Sequence, residues 1–94
     1  MYIIRDSFTA KPGQASKLAA HFKEVGEELI DQKVRVVTDV VGQYNTVEME
    51  IEVEDLGTWE KVMAEYATKP EFREKMAGYT DLYLTGKRTI LKVV

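Results

Sequence analysis

The chain has no cysteine, a single histidine and two prolines among its 94 residues. Without cysteine there are no disulfides, thiolate metal sites or cysteine nucleophiles. His21 alone cannot build a multi-histidine metal centre, and no nucleophile–base–orienter set can be assembled around it. Carboxylates, tyrosines and one imidazole are what remain for acid–base chemistry. No apolar stretch approaches the roughly 20 residues of a membrane helix, so no membrane partner is expected. The opening "MYIIRDSF" carries Arg5 and Asp6 where a signal peptide would have its apolar core, so a cytoplasmic protein is expected. A basic stripe is missing too: 16 acidic and 13 basic residues leave a formal charge of −3, and nucleic acid is not an expected partner. Lys87, Arg88 and Lys92 near the C-terminus read as a solvated strand face. There is no phosphate-cradling glycine loop.

What is present is ordinary for a folded protein: 45% hydrophobic and 31% charged residues, with no low-complexity segment or internal repeat. The length suits one domain spanning residues 1–94, since domains run from about 50 to 250 residues. A chain this short buries roughly 60–65% of its unfolded surface, which makes a modest core and favours stabilisation by pairing.

The period of the apolar residues changes along the chain. "YIIRDSFTA" (2–10) is rich in β-branched and aromatic residues and reads as a strand, ended by "KPG" (11–13). Ala15, Leu18, Ala19, Phe22, Val25, Leu29 and Ile30 then recur at spacings of three and four, predicting an amphipathic helix to about Asp31. Two features of that helix are unfavourable. Glu27, Glu28 and Asp31 lie at its negative end, and Gly26 lies inside it at a cost of about 1 kcal/mol against alanine. Gly26 reads as tolerated, or as a point of close approach by a strand.

"KVRVVTDVVG" (33–42) predicts a second strand, "GQYN" (42–45) a turn, and "NTVEMEIEVE" (45–54) a third strand, together a β-hairpin. Asp55 stands at a helix N-cap position before Leu56, Trp59, Met63 and Tyr66. Pro70 restarts a short helix carrying Phe72 and Met76. "DLYLTGKRTILKVV" (81–94) predicts a last strand, bent or bulged near Gly86. The order β-α-β-β-α-β predicts an α+β, ferredoxin-like fold: a four-stranded antiparallel sheet in the order 4-1-3-2, with helices on one face.

The third strand divides its side chains sharply. Val47, Met49, Ile51 and Val53 alternate with Glu48, Glu50, Glu52 and Glu54, so one face asks for a core and the other is acidic. On the open face the first strand should present Ile3, Arg5, Ser7 and Thr9. The second should present either Val34, Val36 and Val40 or Arg35, Val37 and Val41. Either set places apolar area beside the glutamates, and an uncovered, partly apolar sheet face suits association. Two such faces would enclose a barrel lumen, with Arg5 pairing Glu48 or Glu50.

The stretch "GQYNTVEMEIEVEDL" (42–56), with "KPEF" (69–72) and "KPG" (11–13), resembles the NIPSNAP-type domains of the dimeric α+β barrel proteins, a superfamily that includes antibiotic-biosynthesis monooxygenases. The resemblance implies a homodimer through the open sheet faces and no cofactor. It also implies a first-strand arginine at the position Asp6 occupies here, Arg5 lying one residue further from the turn. Wider relatives include cofactor-independent monooxygenases acting on aromatic or quinol-like substrates, and haem-degrading enzymes. Trp59 fits the haem-degrading type. Ser7 stands where that type has asparagine, and the final helix has no histidine, which argues against haem degradation.

The ligand-binding candidates are Arg5, Ser7, Glu48, Glu50, Trp59 and Tyr83, with no metal ligands and no assigned catalytic residue. Trp59 and Tyr83 also suit plain packing, and His21 suits the edge of the buried stripe with one backbone hydrogen bond. Three functions fit. The first is an uncharacterised homodimeric barrel binding a small, largely apolar molecule in its lumen. The second is a cofactor-independent monooxygenase, by fold analogy. The third is an interaction module whose barrel is filled by its own side chains.

Overall fold

A computed structural model describes all 94 residues. The chain runs β1 (Tyr2–Ala10), α1 (Ala15–Leu29), β2 (Lys33–Thr38), β3 (Thr46–Val53), α2 (Leu56–Thr68), α3 (Pro70–Lys75), a 3₁₀ turn (Tyr79–Asp81) and β4 (Tyr83–Lys92). The strands form one antiparallel sheet in the order β2-β3-β1-β4, which is the expected order.

The alternation in β3 sorts as expected. Val47, Ile51 and Val53 are buried beneath the helices with Ile4 of β1, Leu18, Phe22 and Val25 of α1, and Trp59 of α2. Each such side chain adds about 1.5–3 kcal/mol by burial. Register follows from this sorting: Ile4 pairs with Ile51 and Phe8 with Val47, while Arg5 faces Glu50 and Ser7 faces Glu48 on the other side.

Several boundaries differ from the sequence expectation. β2 ends at Thr38 rather than Gly42, because Asp39 turns the chain: its Oδ1 accepts from the Thr46 amide at 2.8 Å. Val40 and Val41 therefore stand in solvent instead of extending a strand. α1 ends at Leu29, where Ile30 turns extended. The irregularity expected near Gly86 is present in β4 and is centred on Leu84, skipped between the pairs Thr9–Thr85 and Ala10–Tyr83. Gly86 has a different role. A Cβ there would lie 2.7 Å from the Phe8 ring, which crosses the strand through that gap.

Gly26 is likewise a point of close approach, its missing Cβ leaving room for Val34 of β2 at 2.6 Å. The acidic end of α1 is answered from α3: Lys75 Nζ lies 2.6 Å from Glu24 and 2.7 Å from Glu28. His21 Nδ1 meets the Lys75 carbonyl at 3.1 Å, a contact in which the ring nitrogen donates. Asp55 caps α2, accepting from the Thr58 amide at 2.8 Å.

Candidate functional site

The sheet separates the residues that the sequence puts forward. Arg5, Ser7, Glu48 and Glu50 lie on its open face; Trp59 and Tyr83 lie on the helix side. No pocket holds both sets.

On the open face, Glu50 is the centre of a three-strand ion cluster. Arg5 Nε of β1 donates to one carboxylate oxygen at 2.7 Å, and Arg35 Nε of β2 donates to the other at 3.0 Å. Glu50 is only 6% exposed as a result. Its carboxyl is held below the usual carboxylate range, chiefly by the Arg35 hydrogen bond and also by Arg5, against the opposing effect of burial. Ser7 Oγ donates to Glu48 at 2.5 Å. Of the two alternatives for β2, the strand presents Arg35 and Val37 here; Val34 and Val36 pair with Ile51 and Met49 on the helix side. The open face is therefore less apolar than the valine count suggests. Ile3, Val37 and Leu91 are its larger apolar members, set among paired charges.

The helix side contains a cavity of about 120 Å³ between the sheet and α2. Its wall, 13 of whose 15 residues are hydrophobic, includes Phe8 and Met49 of the sheet, Phe22 of α1, and Trp59, Met63 and Tyr66 of α2. Phe8 is fixed by a ring stack, 5.0 Å from Phe22 and 4.8 Å from Tyr83 between centroids. Tyr83 thus supports the wall from behind, whereas Trp59 is part of it. Trp59 is the one buried residue of α2, with Val62 and Met63 packed beside it and Tyr66 on Phe72.

One end of the cavity is polar. Asp6 is 8% exposed on the central strand β1, and Arg88 reaches it from β4 with Nε 2.6 Å from Oδ1. The guanidinium carbon lies 4.8 Å from the Trp59 ring centroid, a cation over an aromatic face. Tyr79 completes this end. Its phenol is pushed up to about 12, first by burial and then by the neighbouring Tyr66 phenol; like any tyrosine it is protonated at neutral pH and can donate.

Arg88 is exposed, as the sequence suggested, but it lies on the helix side of β4, where it reaches Asp6, while Lys87 lies on the open face. Neither Asp6 nor Arg88 was singled out from sequence, although a signal existed. Asp6 falls on the same strand parity as Ile4 and Phe8, and a carboxylate on a buried parity of a central strand needs a partner. No three histidine, cysteine or acidic side chains converge anywhere in the chain to hold a metal.

No protein-family model and no curated protein sequence matches the chain. Solved structures do. A NIPSNAP domain protein from Burkholderia xenovorans superposes with a TM-score of 0.85 at 13% identity, over 100% of this chain and 95% of that one. The fold is that of the NIPSNAP domains. A NIPSNAP family protein from Agrobacterium tumefaciens gives 0.81 at 11% identity, over 100% and 94% of the two chains. SnoaB, a cofactor-independent oxygenase from Streptomyces nogalater, gives 0.73 at 12% identity, over 98% and 91%. At such identities the likeness is one of architecture: the ferredoxin-like α+β fold shared by NIPSNAP and antibiotic-biosynthesis monooxygenase proteins.

Proposed function

We propose that the protein is a homodimer that binds a small, largely apolar molecule, held in the cavity between sheet and helices. The observation carrying this reading is the cavity itself: an aromatic wall closed at one end by a buried carboxylate, a guanidinium and a protonated phenol. An apolar enclosure with a few convergent polar groups is the usual form of a small-molecule site. Its size sets a limit. A cavity of roughly 150 Å³ accommodates benzene, so about 120 Å³ suits a single ring unless α2 shifts outward.

The dimer is supported by the state of the open face. Arg5 and Arg35 both bond Glu50, and the Glu48 carboxylate accepts from Ser7, so these side chains carry two positive and two negative charges that balance as a group when a second copy covers them. Ile3, Val37 and Leu91 supply apolar contact. On this reading Arg5, Ser7, Glu48 and Glu50 belong to the interface and its lumen, and Trp59, with Tyr83 behind Phe8, to the ligand site.

Trp59 is the only tryptophan, so its emission reports on the cavity alone. Titration with toluene and benzyl alcohol should give saturable changes in Trp59 emission; a flat response up to their solubility limits would remove the ligand-binding reading. Light scattering during gel filtration should give about twice the chain mass of 10.7 kDa, and a concentration-independent monomer would remove the dimer.

A second reading, a cofactor-independent oxygenase, is favoured by the structural likeness to SnoaB. Oxygen uptake with anthrone and quinol substrates decides it: no consumption above the uncatalysed rate across the panel would eliminate oxygenase activity.

A further inference from the structure

The two charges at the polar end of the cavity are held unequally. Asp6 is a short side chain on a central strand, flanked by β3 and β4, with 12% of its side chain exposed; Arg88 is a long one on an edge strand, with 45% exposed. When the pair opens, Arg88 can swing into water, where a guanidinium is well solvated. Asp6 cannot follow. The charge left facing the cavity is therefore negative, and a buried carboxylate without a partner is strongly unfavourable unless something replaces the lost donor.

A ligand that displaces Arg88 must supply that donor. An anion would meet the carboxylate head-on, and a neutral hydrocarbon would leave it bare. The surrounding groups also favour positive charge. The Trp59 face already holds one cation at 4.8 Å, and the rings of Tyr66, Tyr79 and Phe22 line the same cavity. No lysine and no second arginine lines the cavity to repel an incoming cation once Arg88 has left.

We propose that the cavity is a receptor for a small organic monocation, an aralkylamine of single-ring size. Its ammonium takes the place of the Arg88 guanidinium between Asp6 and Trp59 while its ring occupies the apolar part. Arg88 is then a built-in occupant that keeps Asp6 paired while the site is empty and leaves when a ligand arrives. This inference rests on the cavity being a ligand site, and it adds the sign of the ligand's charge.

The test is an isosteric series followed by Trp59 emission at neutral pH: benzylamine, benzyl alcohol and benzoate. Benzylammonium should bind at least about tenfold more tightly than benzyl alcohol, and benzoate most weakly. Asp6→Asn should abolish the advantage of the ammonium and leave the alcohol nearly unchanged. Arg88→Gln, which vacates the cation while leaving Asp6 in place, should raise affinity for benzylammonium and not for the alcohol, so the inference stays testable even if Asp6→Asn folds poorly.

Equal binding of amine and alcohol would overturn the cation preference while leaving the cavity as a ligand site. Benzoate binding most tightly would assign the controlling charge to Arg88 and overturn it as well. Silence from all three compounds would remove the ligand site, and this inference with it.

Discussion

Asp6 and Arg88, on neighbouring antiparallel strands, form an ion pair on the helix side of the sheet, with Trp59 of α2 stacked on the guanidinium. The pair ties three elements together: the centre of the sheet, its edge, and α2. Its energetics follow from its partial burial. Breaking a buried pair is damaging because a charge is stranded, while replacing both members by apolar groups is often neutral or better.

We therefore expect Arg88→Met and Asp6→Leu each to lower stability by about 1–3 kcal/mol, less than for a fully enclosed pair because Arg88 is half in water. The double variant should lose less than the sum of the two single losses. Urea unfolding of the four proteins closes the cycle. Simple additivity of the two losses would mean that the pair contributes no coupling.

Gly26 offers a test in which two opposing effects nearly balance. Alanine in a helix interior is better than glycine by about 1 kcal/mol, but overpacking costs about 1–3 kcal/mol. The new Cβ would lie 2.6 Å from Val34 Cγ1, and Val34 is fixed by its pairing with Ile51. Overpacking should win. Gly26→Ala is expected to lower the melting temperature, and adding Val34→Ala should recover most of the loss. A Gly26→Ala protein more stable than the native one would show that β2 can move aside.

The two faces of β3 provide a cleaner contrast. Ile51 is 2% exposed beneath the helices, and Glu54, just past the strand, is exposed. Ile51→Lys buries an ammonium in the core and should remove more than about 4 kcal/mol, a large share of what a small domain possesses. Glu54→Lys should change stability by less than about 0.5 kcal/mol. Equal thermal stability of the two variants, measured by circular dichroism, would contradict the assignment of faces.

Much of this architecture was legible in the chain because alternation is a two-state code. Once Val47, Ile51 and Val53 must face the helices, Glu48, Glu50 and Glu52 must face away, and the order of strands and helices follows from short right-handed connections. What could not be read were relationships set by register between distant strands. Arg5 had a candidate partner in Glu48 or Glu50. That Arg35 would complete the cluster depended on which parity β2 presents, and its valines, dense on both parities, left that open. Gly86 pointed to the irregularity centred on Leu84, but the reason for a glycine there is the Phe8 ring, which arrives from β1. The cavity was hidden for a similar reason. It depends on how the sheet and all three helices close around one another, and a helical stripe gives direction without distance.

Glu50 makes the open face a pH-sensitive element. Its carboxyl is held low by the hydrogen bond from Arg35 and by Arg5, against the cost of burial, so the folded state binds the Glu50 proton less readily than the unfolded chain does. A depressed carboxyl contributes stability that is fully present above the unfolded value of about 4.3 and is lost as the pH falls through the folded value. The native protein should therefore lose stability on acidification below about pH 5 more steeply than Glu50→Gln, whose uncharged amide removes this titration. The variant should be less stable at neutral pH, where Arg5 and Arg35 lose their shared anion, and the two stability curves should converge in acid. Parallel curves from neutral pH down to acid unfolding would mean that Glu50 titrates alike in both states, and that the two arginines leave its proton affinity unchanged.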